Sequence, residues 1–157
     1  MEAARPAVAA DVAVIEAINE RRRAEMDGHR GAEMFLAREA SSSPVGGRIS
    51  SAIASEQATV VVGCYDDVVF GYAVASYDEL SDGSRVAVLT DFVTDADARE
   101  AGIGEAMMNL VVEQAKAAGC RGIDSVALPG DRETKNFFES FGLKARLLTV
   151  HRSFVTE

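Results

Sequence analysis

The junction Arg99-Glu100-Ala101-Gly102-Ile103-Gly104 constrains this chain more than any other stretch, because it joins an apolar, strand-like run to an amphipathic, helix-like run. The run before it, Arg85 to Thr94, is rich in β-branched and aliphatic residues and breaks off in a polar Asp/Ala turn, which predicts a strand. The run after it sets Ile103, Met107, Leu110, Val111 and Ala115 at helical spacing to about Ala118 and stops at Gly119, which predicts a helix. Two glycines at such a junction let main-chain N–H groups approach an anion with no Cβ in the way. The first helical turn adds unpaired N–H donors at the positive end of the helix dipole. The junction therefore invites a diphosphate, although the same glycines equally serve a tight turn with no ligand. Two other phosphate loops are excluded. Met107 stands where the dinucleotide fingerprint needs its third glycine, and the chain has no Gly-Lys-Ser/Thr triplet.

The remaining elements follow from periodicity and punctuation. Asp11 is an N-cap candidate for a helix that carries Val12, Ile15 and Ile18 on one face and runs to about Met26, with Arg21-Arg22-Arg23 on its solvated side. A helical stretch from Ala32 to Glu39 is broken by Ser41-Ser42-Ser43-Pro44 and Gly46-Gly47, and a short helix resumes through Ile49 and Ile53. Thr59 to Tyr65 and Val68 to Tyr77 read as strands joined by an Asp66-Asp67 hairpin. A strand is expected from about Ile123 to Leu128, a helix from Asp131 or Arg132 to Phe141, and a terminal strand near Arg146 to Phe154. Strands first, then helix and strand in alternation, predict an α/β (α+β) chain with a mixed sheet and helices packed on it.

At 157 residues the chain has the length of one domain, expected to span residues 1–157. Apolar residues at 48% and charged residues at 26% fit a globular composition. No run approaches the ~18 apolar residues of a membrane span, so no membrane partner is expected. The N-terminal stretch has no basic region followed by a long apolar core, which leaves the cytoplasm as the expected location. A formal charge of −9 argues against nucleic-acid binding and suits a cationic substrate. Cys64 and Cys120 have no pairing or zinc spacing, and no metal is expected.

Residues Arg99 to Gly104 resemble the signature Arg/Gln-x-x-Gly-x-Gly/Ala of the GNAT superfamily of acyl-CoA-dependent N-acyltransferases. The likeness extends upstream through Leu89 to Arg99 without a gap. Downstream, Asn136-Phe137-Phe138-Glu139-Ser140-Phe141-Gly142-Leu143 looks like the family's Asn-x-Tyr-Glu-x-x-Gly-Phe helix end. The segment from Gly28 to Ser55 fits worst. The resemblance implies a GNAT-type mixed, mostly antiparallel central sheet flanked by helices, with strands splayed at the cofactor site, and acetyl-CoA as cosubstrate. The pantetheine arm would lie on Phe92, Val93 and Thr94. The diphosphate would sit on the amides of Glu100, Ala101, Gly102, Ile103, Gly104 and Glu105, with Arg99 as the signature residue and the Glu105 side chain turned outward. Asp131 stands where many relatives have an asparagine that touches the cofactor. Phe138 stands where many carry a tyrosine that protonates the departing thiolate.

Acyl transfer to an amine needs a neutral nucleophile, and an alkylammonium has a pKa near ~10.4, so a base or a water chain is required. Asp91 is the best-placed carboxylate, as a base, as an anchor for a cationic acceptor, or as a strand-end residue bonded to nearby backbone. The family often has Glu where this chain has Thr90. With Phe138 unable to donate a proton, a hydroxyl is sought from Tyr65, Tyr72 or Tyr77, of which Tyr77 is nearest a strand end. The implied activity is direct transfer of acetyl to a primary amine of a small molecule or peptide, with no covalent acyl-enzyme. Two alternatives stand beside it: a sensor or assembly module that binds acyl-CoA without turnover, and a protein-lysine acetyltransferase. Pairing of the terminal strand Leu147-Leu148-Thr149-Val150 across chains leaves a homodimer open.

Overall fold

The computed structural model describes residues 1–40, 42–99 and 101–155. Among them, β1 (Glu2–Pro6), β2 (Ala58–Tyr65), β3 (Val68–Glu79), β4 (Arg85–Thr94) and β5 (Cys120–Asp124) form one sheet in the order β1-β2-β3-β4-β5. Pairing is antiparallel from β1 to β4 and parallel between β4 and β5. A parallel neighbour requires a crossover, and α4 (Ile103–Ala117) supplies it. The mixed, mostly antiparallel sheet flanked by helices is the class expected from the sequence.

Helices cover both faces. On one face lie α1 (Val12–Met26) and, after α2 (Ala32–Met34) and its π-helical continuation Phe35–Glu39, α3 (Gly46–Ala54). Ile15, Ile18 and Ile49 pack there against Val60, Val62, Tyr72 and Val74. On the other face α4 and α5 (Arg132–Ser140) bring Ile103, Met107, Val111 and Phe138 against Val61, Ala73 and Leu89. β2 shows the period of two directly, with Val60 and Val62 on the first face and Val61 on the second.

Two glycines let α4 approach closely. Gly63 and Gly71 are register partners on β2 and β3. A Cβ on Gly63 would stand 2.3 Å from Ile103 Cγ2 and 2.8 Å from Met107 Cγ; one on Gly71 would stand 2.8 Å from the Val93 carbonyl oxygen and 3.0 Å from Met107 Cε. The first turns of α4 therefore lie on bare backbone. Asp66 and Asp67 both take positive φ, 47° and 67°, which makes the anticipated tight hairpin between β2 and β3.

Two expectations are corrected, and one strand is unforeseen. Glu2–Pro6 forms an edge strand on β2 that the sequence does not predict, because Glu-Ala-Ala-Arg-Pro shows no apolar alternation to mark it. Asp11 does not cap α1. Its carboxylate instead accepts from the Val8 N–H at 2.8 Å and takes both Arg5 terminal nitrogens, at 2.8 and 3.0 Å. The terminal strand is not formed: among the described residues no backbone bond joins 144–155 to the sheet, Leu147, Leu148, Val150 and Phe154 are exposed, and the Arg146 Nε bond to Asp124 at 2.9 Å is its tie to β5. Strand propensity expresses itself only where an edge accepts the chain.

The contacts at the glycine pair set opposing terms against each other. Gly→Ala in a strand stabilises by about 0.4–1 kcal/mol through the unfolded chain, and overpacking costs about 1–3 kcal/mol. Gly63→Ala and Gly71→Ala are expected to lower unfolding free energy, whereas Gly122→Ala on β5, where a Cβ meets nothing within 4 Å, raises it slightly; urea titration of the three variants checks this. The Arg5 guanidinium holds the Asp11 carboxyl below its ordinary 3.8. The stabilisation is present above that value and is lost as pH falls through the lower, folded one. Asp11→Asn should therefore cost about 1–3 kcal/mol at pH 7, and its difference from wild type should close on acidification below about pH 4, as read by unfolding at stepped pH.

Candidate functional site

The site begins with one extra residue in β4. Asp91 pairs with Val74 and Leu89 with Ala75, so Thr90 has no partner opposite and bulges, its hydroxyl reaching the Val74 carbonyl oxygen at 3.3 Å. Without the bulge, the period of two would put Asp91 on the same face as Leu89. The extra residue turns it over. Leu89 packs on the α4 face, while buried Asp91 meets Tyr72 on the α1 face.

Beyond the bulge β4 also loses its neighbour. Its pairing with β5 ends at Val88 and Asp124, and the chain then turns away, with Ser125 Oγ bonded to the Leu89 carbonyl oxygen at 3.3 Å. The strand expected from Ile123 to Leu128 thus starts earlier, at Cys120, and stops at Asp124. Ser125 to Leu128 line a cavity of about 110 Å³ instead of continuing the ladder. Because β5 departs here, the cavity reaches both faces of the sheet. Asn19, Tyr72 and Asp91 line it from the α1 side, Phe92 and Phe138 from the α4 side, and Phe35 and Leu36 add an apolar wall.

A continuous hydrogen-bonded chain lies along the cavity. Asn19 Nδ2 donates to Tyr72 Oη at 2.8 Å, Tyr72 Oη donates to Asp91 Oδ2 at 3.1 Å, and Arg48 Nη2 donates to Asp91 Oδ1 at 3.2 Å and to Thr90 Oγ1 at 2.8 Å. Burial, reinforced by the Asp91 charge, pushes the Tyr72 phenol far above its ordinary range, so it stays protonated. Asn19 is buried, and its Oδ1 has no partner among the described residues.

The glycine junction follows the C-terminal end of β4, just past Thr94. Gly102 takes φ 77°, the left-handed conformation that glycine adopts at little cost, and α4 starts behind it with no side-chain cap. Ile103 is buried, Ala101 half-buried and Glu105 exposed. A Cβ on Gly104 would meet the Phe137 ring at 3.5 Å and Thr94 Oγ1 at 3.8 Å, ordinary contacts that protein packing tolerates. Arg99 Nε reaches the Thr94 carbonyl oxygen at 3.3 Å and its guanidinium pairs with Glu25 of α1. Glu100 lies outside the described residues. Asp131 caps α5, accepting from the Thr134 N–H at 3.1 Å and the Thr134 hydroxyl at 2.8 Å, and lines the cavity. Phe92 and Val93 line it too, and the Phe92 ring packs 5.3 Å from Phe137 and edge-on to Phe138 at 6.2 Å.

Tyr77 is not part of this arrangement. Its ring lies under the Arg85 guanidinium, 5.8 Å from centroid to Cζ, near the far end of β3. The hydroxyl at the cavity belongs to Tyr72, and Asn19 and Arg48 went unrecognised in the sequence. Asn19 carried one signal, a polar side chain beside Ile15 and Ile18 on the apolar stripe of its helix; Arg48 carried none. Tyr72→Phe should cost about 1–3 kcal/mol, because it removes the hydroxyl that bonds both Asn19 Nδ2 and Asp91 Oδ2. Tyr77→Phe, at a partly exposed ring, should cost less, and chemical denaturation of both variants gives the comparison.

The model of the acetyltransferase (GNAT) family matches residues 16–143. A four-fold mutant of the BH1408 protein of Bacillus halodurans superposes with a TM-score of 0.81 at 19% identity, over 96% of this chain and 99% of that one. Glucosamine-6-phosphate N-acetyltransferase of Arabidopsis thaliana superposes at 0.69 and 14% identity, over 99% of both chains. The aminoglycoside acetyltransferase meta-AAC0020 from an uncultured soil metagenomic sample, solved with sisomicin, does so at 0.72 and 14%, over 99% of this chain and 97% of that one. No curated protein matches this chain in sequence.

Proposed function

We propose, from the premise that the chain belongs to the acetyltransferase (GNAT) family, that it transfers acetyl directly from acetyl-CoA to a primary amine of a small molecule or peptide. The observation that carries this reading is the opening beside β4. Among the described residues that strand has no neighbour on its β5 side past Val88, which suits an extended, amide-bearing pantetheine arm along Phe92, Val93 and Thr94. The uncapped first turn of α4 at Ala101 to Glu105, with Arg99 beside it, suits the diphosphate. The narrow cavity favours a small acceptor over a folded protein surface.

The residues along the cavity support a proton path. When the amine nitrogen bonds to the acyl carbon it becomes acidic, and its proton passes to Tyr72 Oη as Tyr72 hands its own to Asp91 Oδ2. Tyr72 ends unchanged and Asp91 ends protonated. Asn19 holds the phenol in line, and Arg48 fixes the Asp91 carboxylate by its bond to Oδ1. The C–S bond then breaks. Phe138 offers no proton, but a thiol with a pKa near ~8.5 leaves acceptably as its anion and is protonated from solvent. Phe138 also favours the second reading, a module that binds acyl-CoA without turnover, and the same assay separates the two.

Free-thiol release from acetyl-CoA against a panel of amines is the test. Acceptor-dependent release is expected, with Tyr72→Phe and Asp91→Asn lowering kcat by roughly 100-fold, the lower range for general acid–base catalysis. Gly104→Ala should keep the wild-type Tm, since its Cβ has room, yet weaken acetyl-CoA binding by about tenfold or more in calorimetry. Tight acetyl-CoA binding with no release on any acceptor would establish the module instead.

A further inference from the structure

The acidic composition of the chain suggested a cationic acceptor anchored on Asp91, and the arrangement around Asp91 argues the opposite. Both its oxygens are engaged, Oδ1 by Arg48 and Oδ2 by Tyr72. The second carboxylate at the cavity, Asp131, is turned to Thr134. An incoming ammonium would have to displace a guanidinium already in place.

Arg48 has donors to spare. Gly46 lets α3 press against α1, since a Cβ there would stand 1.8 Å from Glu16 Oε1, and Arg48 is thereby carried over the bulge of β4. Its Nη2 alone makes the bonds to Thr90 and Asp91. Nε and Nη1 have no partner among the described residues, and the side chain is 38% exposed. A guanidinium presents five N–H donors in a rigid fork that matches a carboxylate or phosphate. The charged residues lining the cavity are Arg22, Arg23, Asp91 and Asp131. Among the described residues the lining is balanced, two of each sign, with Arg22 also paired to Glu25, in a chain whose formal charge is −9, and Arg48 adds a guanidinium beside it.

We propose that the acceptor is an amine that also carries an oxyanion, a carboxylate or a phosphate, and that Arg48 selects it. This rests on the acyl-transfer reading above. The free edge of Arg48 holds the oxyanion beside the Thr90 bulge, while the amine reaches the Tyr72–Asp91 pair deeper in the cavity. Arg48 thus has two tasks on two sides of one guanidinium: neutralising Asp91 and recognising the acceptor.

The test compares wild type, Arg48→Gln and Arg48→Lys in thiol release with matched acceptors. Glycylglycine and glycylglycinamide form the carboxylate pair, phosphoethanolamine and ethanolamine the phosphate pair, and putrescine is the cationic control. In wild type the anionic member of one pair should have a kcat/KM at least tenfold higher, carried by KM, and the pair that shows it identifies the oxyanion. Arg48→Gln should collapse that ratio towards one, with putrescine, which has no oxyanion, as the control against which the loss is read; Arg48→Lys should keep part of the ratio. A merely structural role for Arg48 would lower both members of a pair together and leave their ratio intact. That outcome, or a wild-type ratio of one or less, overturns the proposal while leaving the transferase standing. No release with any acceptor, with acetyl-CoA still bound in calorimetry, overturns the transferase reading and the proposal with it.

Discussion

Ile103 and Met107 rest on strand backbone that carries no side chains, at the register-paired Gly63 and Gly71, and this close approach sets the height of the α4 N-terminus above the sheet. The dependence runs outward from there. The helix dipole and its unpaired amides act over only about the first turn, so they bear on the exposed end of β4 only if that turn stands beside it. Each buried apolar side chain along α4 contributes roughly 1.5–3 kcal/mol, enough to hold the turn in place although nothing caps it. The glycines thus position a main-chain feature without appearing in the site themselves.

A second constraint is polar. Burying Asp91 would be costly unless its charge were paired and bonded, and Arg48 and Tyr72 meet that requirement from two different elements. The pairing explains why an arginine from the region of poorest family resemblance reaches the central strand. It also explains why Tyr72, in the middle of a hydrophobic cluster, is tolerated: its hydroxyl accepts from Asn19 and donates to Asp91. The Asn19 Oδ1 left over is the one unsatisfied buried side-chain atom among the described residues, at the edge of the cavity where a ligand would bring its own donors.

The parts of this arrangement legible in the sequence are those fixed by local chemistry. The strand-to-helix junction at Gly102 and Gly104 and the Asp66-Asp67 hairpin each depend on a few neighbouring residues whose backbone preferences are strong. The family resemblance added the expectation of splayed strands, and β4 and β5 do part after Val88. What stayed hidden depends on partners distant in the chain. The Thr90 bulge is a relation between two strands, so alternation within β4 alone does not show which side Asp91 takes. Tyr77 seemed the better tyrosine because it sits near a strand end, but the antiparallel register puts Tyr72, opposite Val93, at the working end of β4. The terminal run 146–154 has strand-like residues and no edge to receive it, while Glu2–Pro6 has an edge and almost no strand-like residues.

The single inserted residue at Thr90 divides labour along β4. On one side of the strand stand α4 and α5, with the glycine junction; on the other stand α1 and α3, with Asn19 and Arg48, and the two meet only where β5 has peeled away. Changes in the helices on one side therefore need not be matched by changes on the other. Such a partition lets the residues of one side vary while the other keeps its own packing, and chains of this shape superpose at below 20% identity.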